Sequence, residues 1–353
     1  MNLDDWRSRI NDLDNQILNL LNQRAEAALK IGDLKRRHDL PYYAPEREAE
    51  IIVRLTSGTP GPLPVETIRA VWREILSGCR ALEQPLTVGY LGPRGTFTHQ
   101  AALKQFGDAS QFVPARAIVD VFDDVERGGV EYGVVPVENS TEGAVNVTLD
   151  RLIDSDAVIC GELSLAVGQH LISGAGDLGA VKRVVSHPQG LAQCRRWLAE
   201  HLRDVPTEES TSTAAAAELA AADVTVAAIG SELAAQLYGV PILRPRIEDN
   251  PNNFTRFLVI GRRPTRPTGQ DKTSILFAMR NESGSLYRIL EPLARTGINL
   301  TKIESRPAKR RPWEYVMFVD FEGHRDTPAI TSALAELEER TLFLRVLGSY
   351  PAA

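Results

Sequence analysis

Apolar positions near the start of the chain recur at three-four spacing. Leu3, Trp6, Ile10, Leu13, Ile17, Leu20, Ala27, Ile31 and Leu34 form one seam, broken only by Arg24. No Gly, Pro or cap signal intervenes before Gly32, and the pattern runs on past it. It predicts one helix from Leu3 to His38, roughly 54 Å long at 1.5 Å per residue. That exceeds the span of a small domain, so part of the stripe is expected to pack against a second chain. Asp39-Leu40-Pro41 then breaks the helix, and Pro45 opens another. After the turn-rich TSGTPGPLP (56–64), Pro64 starts a third helix with Ile68, Trp72, Ile75, Cys79 and Glu83 on one face. From Thr87 the pattern changes to short apolar strands alternating with helices, which predicts an α/β sheet: TVGYL, YGVVPV, VICGELSLAV, VKRVV, VTVAAI and FTRFLVI. Residues 273–350 read strand, helix, strand, strand, helix, strand. Breaks at LEQPL (82–86) and GRRPTRPTGQDK (261–272) divide the chain into 1–84, 86–263 and 272–353.

Length and composition narrow the class of protein. At 353 residues there is room for two or three domains, and 43% hydrophobic with 24% charged residues is ordinary for globular chains. A net charge of −6 gives no support for a nucleic-acid partner. The acidic start MNLDDWRSRI has no apolar core of a secretory signal, and no run approaches a membrane span. Cys79, Cys160 and Cys194 are far apart and odd in number, which fits reduced thiols in the cytoplasm. The six His residues form no metal-ligand spacing, so no metal is expected.

The cations of the helical region carry chemistry. Arg24 and Lys35 project within roughly 20° of each other on an ideal helix, with Ala28 and Ile31 between them as an apolar floor. Arg24 serves either a structural ion pair or an anionic ligand, because a buried charge needs a partner. Arg7 sits about 100° away and on a straight helix reaches only a partner chain's pocket. The second helix adds Arg47 and Glu48. With few acids obviously placed to pair them, these cations suit a small dianion. These residues resemble the all-helical chorismate mutase module over residues 1–84. The resemblance implies an intertwined dimer, with Arg7 crossing into the other protomer's site. Arg24 and Arg47 would then bind the substrate carboxylates, Lys35 the ether oxygen and Glu48 the ring hydroxyl. Ala44 stands where some members carry Asp, Cys79 where Ser is often found, and Glu83 where many have Gln. Only a protonated Glu83 can donate to the developing oxyanion, so the mutase step is expected to weaken as pH rises.

In the middle region, several strands are followed by small, hydroxylic or amide-bearing residues. Ligands of open α/β sheets gather there, outside the carboxyl ends of strands and against helix N-termini. GPRGTF is not the dinucleotide GxGxxG, and no Walker A string occurs, which disfavours nucleotide binding. Thr211, Ser212 and Thr213 serve either as a helix N-cap or as ligand contacts. His187 reads as structural and Gln189 as the better polar candidate. In order, GPRGTFTHQAA, GVVPVENSTEGAV, SHPQGLAQC, ESTSTAAAA and NNFTRFLVIG resemble prephenate dehydratase over residues 87–263. That implies two α/β lobes of the periplasmic-binding-protein type with the site between them, and no metal or organic cofactor. The reaction loses carbon dioxide and water to give phenylpyruvate. By the same resemblance Thr255 assists the departing hydroxyl, and Glu138, Asn139, Ser140 and Gln189 line the cleft. Thr96, Thr213 and Phe254 join the substrate-binding set, as does Arg256, which either aids binding or anchors its strand.

The C-terminal βαββαβ order is that of a ferredoxin-like fold. It resembles the ACT regulatory domain. SGSLY, supplying Ser283, Gly284, Ser285 and Leu286, and the segment Glu304-Ser305-Arg306-Pro307 match that family's effector-binding elements, with Ser283 and Ser285 replacing commoner Pro and Ala. The implied effector is phenylalanine, inhibiting the dehydratase. Together the three modules resemble the bifunctional chorismate mutase–prephenate dehydratases of phenylalanine biosynthesis, acting on chorismate and prephenate as homodimers. The rivals are a dehydratase whose helical region only dimerises, a non-catalytic amino-acid or dicarboxylate sensor, and an arogenate-preferring dehydratase.

Overall fold

A computed structural model describes residues 2–38, 40–58, 61–280, 282–307 and 315–352. The expected helix break at Asp39, part of the 56–64 turn (Thr59 and Pro60) and the residue before the strand at Tyr315 (Glu314) lie outside the described residues. The chain forms two compact units, residues 1–87 with 105–111, and residues 88–104 with 112–353.

The first unit holds α1 (Leu3–Arg37), α2 (Pro45–Thr56) and α3 (Val65–Glu83). Asn2 and Asp5 start α1 with a reciprocal capping box at 2.9 and 2.8 Å, and basic residues fill its last turn, as the helix dipole favours. At 35 residues α1 is continuous through Gly32. Gly32 is a contact rather than a stop: a Cβ there would lie 2.9 Å from Glu83 Cγ, so its absence lets α3 close on α1. The face of α1 buried within the chain carries Ala28 and Gly32, one position off the oily seam. The seam itself is uncovered, with Leu3, Trp6, Ile10, Leu13, Ile17 and Leu20 between 41 and 65% exposed.

The second unit is built on three sheets. The first draws on β1 (Thr87–Leu91), α4 (Phe97–Phe106), β2 (Gln111–Ala115), α5 (Ile118–Arg127), β3 (Tyr132–Asn139), β4 (Gly143–Ala144), α6 (Asn146–Asp154) and β5 (Val158–Ala166). The chain then enters a second sheet through β6 (His170–Ile172), β7 (Arg183–Ser186), α7 (Pro188–Gln193), α8 (Arg195–His201), β8 (Thr207–Glu209), α9 (Thr213–Ala222), β9 (Val226–Gly230), α10 (Glu232–Tyr238) and β10 (Ile242–Arg244). It returns to the first sheet as β11 (Phe254–Gly261). The orders are β2-β1-β3-β11-β5 and β10-β6-β9-β7-β8, with β1 parallel to β3 and β11 antiparallel to both its neighbours. Two crossings between sheets make the two-lobed arrangement expected of the middle region. The short strands β2, β6, β8 and β10 are additions to the pattern read from hydrophobicity.

The third sheet comprises β12 (Asp271–Ala278), β13 (Leu300–Pro307), β14 (Tyr315–Glu322) and β15 (Phe343–Pro351), ordered β13-β14-β12-β15, with α11 (Ser285–Arg295) and α12 (Pro328–Arg340). One face packs Ile275, Phe277, Met317, Val319 and Phe321 under the helices. The other contributes Leu276, Val316, Phe318, Leu347 and Tyr350 to the core holding Val135, Val137, Leu258 and Ile260 of β3 and β11. The C-terminal domain and the first lobe therefore share one hydrophobic core.

Candidate active sites

In the helical unit, Arg24, Lys35, Arg47, Glu48, Cys79 and Glu83 line one cavity of about 440 Å³. Ala28 and Ile31 of α1 line it, as their spacing implies, and Ile51 of α2 and Leu76 of α3 extend that apolar wall. Arg24 lies 5.8 Å from the Trp72 ring centroid and has no ion pair among the described residues. The other cations do have acids beside them, contrary to the impression from sequence. Lys35 Nζ donates to Glu83 Oε2 at 2.9 Å and to the Tyr42 carbonyl at 2.8 Å, and Arg47 pairs with Glu50 at 2.8 Å. Arg7 is outside this cavity, 3.3 Å from Asp4 on an exposed turn. Glu48 is bound by Arg80, a residue that sequence reasoning passed over. Arg80 is almost wholly buried, reaches the Phe106 carbonyl at 2.6 Å, and lies 4.9 Å from the Tyr43 ring centroid. Burial pushes the Glu48 carboxyl above its usual range, with Arg80, Lys35 and Arg24 opposing that rise.

In the second unit, sequence-distant residues meet where the lobes face each other. Asn139 ends β3, directly opposite Thr255 on β11. Its Oδ1 accepts from the backbone N–H groups of Thr141 (2.9 Å) and Glu142 (3.1 Å). Two obligate donors on that side fix the amide's orientation. Nδ2 therefore faces the other way and donates to Asn253 Oδ1 at 2.8 Å and Thr255 Oγ1 at 2.9 Å. With its oxygen already accepting, the Thr255 hydroxyl keeps its own proton available to donate. Asn253 is a second residue missed from sequence, although it lies within the NNFTRF motif. Ser140 ties the loop by accepting from Phe254 N–H at 2.9 Å, and the Phe254 side chain is about half exposed.

Thr96 Oγ1 accepts from His99 N–H at the start of α4 and donates to the Leu91 carbonyl. Across the cleft, Ser231 Oγ donates to the Gly95 carbonyl at 2.8 Å, and Gln193 Nε2 to Glu142 Oε1 at 3.0 Å. Gly95 has φ +89°, and a Cβ there would sit 3.3 Å from Ala234 Cα, so glycine permits this approach of the lobes. Gln189 is in the first turn of α7, where its N–H donates to the His187 ring. Ser212 is the N-cap of α9, donated to by Ala215 N–H, and Thr213 follows as the first helical residue.

Glu138, expected to line the cleft, and Arg256, for which binding and anchoring were both open, lie on the other side of the strand pair. Glu138 and Arg256 are opposed in register, one position from Asn139 and Thr255, and successive strand residues point to opposite sides. Glu138 meets Lys302 of β13 at 2.6 Å. Arg256 binds Glu162 at 2.7 Å, Asp320 at 2.6 Å and the Tyr350 hydroxyl at 3.1 Å. Burial works against its charge, but Asp320, Tyr350 and Glu162 hold the guanidinium firmly protonated. These hydrogen bonds tie the Arg256 guanidinium to β5, β14 and β15.

In the C-terminal domain Gly284 takes φ +77° immediately before α11, flanked by Ser283, whose carbonyl accepts from Arg288 at 3.0 Å. Ser285 is buried at the first turn, followed by Leu286. Glu304, Ser305, Arg306 and Pro307 form the end of β13, an edge strand. Arg306 is turned onto α6, donating to Asn146 at 2.7 Å and Asp150 at 2.8 Å. No described helix is long and apolar enough to cross a membrane.

Comparison with known proteins finds a family match for each of the three regions. Residues 6–84 match the chorismate mutase type II family, 88–265 prephenate dehydratase and 273–339 the ACT domain. A bifunctional chorismate mutase/prephenate dehydratase from Aquifex aeolicus is 49% identical over 99% of this chain and 98% of its own. Its Escherichia coli K12 counterpart is 33% identical over 98% and 95%. The crystal structure of prephenate dehydratase from Arthrobacter aurescens in complex with L-Phe is similar with a TM-score of 0.69, at 35% identity over 75% of this chain and 90% of that one. The cationic cavity, the Asn139–Thr255 pair and these matches along nearly the whole length lead to one conclusion: the chain belongs to the bifunctional chorismate mutase/prephenate dehydratase family.

Proposed function

We propose that the helical cavity binds chorismate with Arg24 and Arg47 on its carboxylates, Lys35 toward the ether oxygen and Glu48 toward the ring hydroxyl. A pericyclic rearrangement needs a compact conformer and positive groups facing the oxygen that gains charge, and no nucleophile. Arg24, with no acid of its own among the described residues, carries this reading. Lys35 donates to Glu83 at 2.9 Å, so substrate must draw the ammonium away from that carboxylate. A second copy of the chain covers the bare α1 seam and brings its Arg7 to the cavity. The uncovered row from Leu3 to Leu20 supports this dimer, because so long an apolar stripe on one chain calls for a partner.

Prephenate binds between the lobes. Thr255 Oγ–H gives its proton to the departing ring hydroxyl, which leaves as water, while the ring carboxylate leaves as carbon dioxide and its electron pair aromatises the ring; solvent then returns a proton to Thr255. A threonine hydroxyl is a weak acid; the Asn139 amide polarises it, and exclusion of water strengthens its hydrogen bond. The C-terminal domain binds phenylalanine at the Gly284 turn and the Glu304–Pro307 strand end, and inhibits the dehydratase. The similar Arthrobacter enzyme was solved with L-Phe, which supports that effector. The cytoplasm is the compartment that fits three free cysteines. One assay following chorismate to phenylpyruvate, with and without phenylalanine, tests the whole reading. Prephenate then phenylpyruvate should appear, with the second step slowed by phenylalanine; release of prephenate without phenylpyruvate would refute the dehydratase half.

A further inference from the structure

Asn139 and Thr255 are opposed on one side of the β3–β11 pair, and Glu138 and Arg256, one residue along each strand, are opposed on the other. Both outer residues are held by the C-terminal domain, Glu138 by Lys302 and Arg256 by Asp320 and Tyr350. Asp320 and Tyr350 are themselves joined through Ser274, at 2.6 and 2.7 Å, and Lys272 closes the network on Glu162 at 2.5 Å. We infer that Glu138 and Arg256 are positioning residues for the Asn139–Thr255 pair, and that Lys302 on β13 is the contact through which the C-terminal domain sets the dehydratase geometry. This rests on the reading of Thr255 as the proton donor and of β13 as effector-binding.

The alternation along β13 makes the connection specific. Residues 302, 304 and 306 share one face, with register partners Asp320, Phe318 and Val316, of which Val316 and Phe318 belong to the core shared with β3 and β11. Glu304 of the effector segment thus sits between Lys302, on Glu138, and Arg306, on Asn146 and Asp150 of α6. The helix α6 is fastened to β3 as well, Thr148 Oγ1 donating to the Pro136 carbonyl at 2.5 Å. A ligand that shifts β13 therefore pulls on the strand that ends in Asn139, by two polar routes. The Asn139–Thr255 hydrogen bond tolerates little movement, since a misplacement of about 1 Å at a reacting group can cost about 100-fold in rate.

The test is a double-mutant cycle in the full chain, with Lys302→Met, Glu138→Gln and their combination. The measurements are kcat and KM for prephenate across a phenylalanine titration, with mutase turnover of the same samples as a check on folding. Each single variant should lower kcat by about 5-fold at nearly constant KM and shift the half-inhibitory phenylalanine concentration by a similar factor, within the usual range of coupling between sites. The combined variant should lose no more than either single one, and Lys302→Arg should keep most of the activity. Losses that multiply, or a Lys302→Met enzyme with parental kcat and parental inhibition, would overturn the inference. If the parent chain makes no phenylpyruvate, it is the dehydratase reading that fails instead. A parent that is active but insensitive to phenylalanine removes the effector reading, and kcat in the cycle still decides the positioning role.

Discussion

Replacing Asn139 by Asp changes one atom that matters. The aspartate keeps the shape of the side chain, and one oxygen still accepts from Thr141 and Glu142 N–H. The other oxygen replaces an N–H₂ group that donates to Asn253 and Thr255. A carboxylate oxygen 2.9 Å from Thr255 Oγ1 can only accept, so the hydroxyl turns its proton inward. Both residues are at least nine-tenths buried, so water is poorly placed to substitute. The substrate hydroxyl then loses its donor although Thr255 is still present. Removing one preorganised donor of this kind costs about 100- to 1,000-fold in kcat, or about 3–4 kcal/mol. Thr255→Ala should fall in the same range, and Asn139→Asp with Thr255→Ala should be no slower than Thr255→Ala alone. The assay is phenylpyruvate formation from prephenate, with chorismate consumption as an internal measure of intact protein. Asn139→Asp turnover within about threefold of the parent would refute the argument that Thr255 acts through its proton.

Three further outcomes are expected. Glu83→Gln removes the carboxylate that holds Lys35 at 2.9 Å and puts a neutral donor in its place, so mutase turnover should rise, and turnover equal to the parent's would remove Glu83 from the mechanism. Arg80→Met leaves Glu48 without its buried partner and should destabilise the helical unit by about 3 kcal/mol, read by denaturant unfolding, the usual cost of breaking a buried pair from one side. Glu304→Ala and Gly284→Val should blunt phenylalanine inhibition with uninhibited turnover near normal, since both lie at the tail's turn and strand end; inhibition at the parental concentration would dismiss the sensor.

The long periodic and strongly apolar segments were legible from sequence, and the side of a strand end was not. The seam of α1, the six apolar strands of the middle region and the βαββαβ order each carry a run long enough for period to decide. β6 and β8 are three residues each and β8 is entirely polar, so no alternation could mark them. Glu138 and Asn139 are adjacent in ENST, and Thr255 and Arg256 in FTRF, so motif membership alone could not separate the cleft side from the side covered by the C-terminal domain. That needed the register of β3 against β11. Arg80 was hidden for a related reason: in ILSGCRALE it reads as a solvated arginine, and only Glu48 and the Phe106 carbonyl, from two other segments, make it a buried one.

The central claim is that one chain holds two independent sites for consecutive steps, and a crossed pair of variants tests it most directly. From chorismate, Thr255→Ala should accumulate prephenate and stop there, while Arg24→Ala should consume almost no chorismate yet convert added prephenate at the parental rate. If Arg24→Ala abolished both conversions with the protein still folded, or Thr255→Ala formed phenylpyruvate normally, the account of two separate sites would be contradicted.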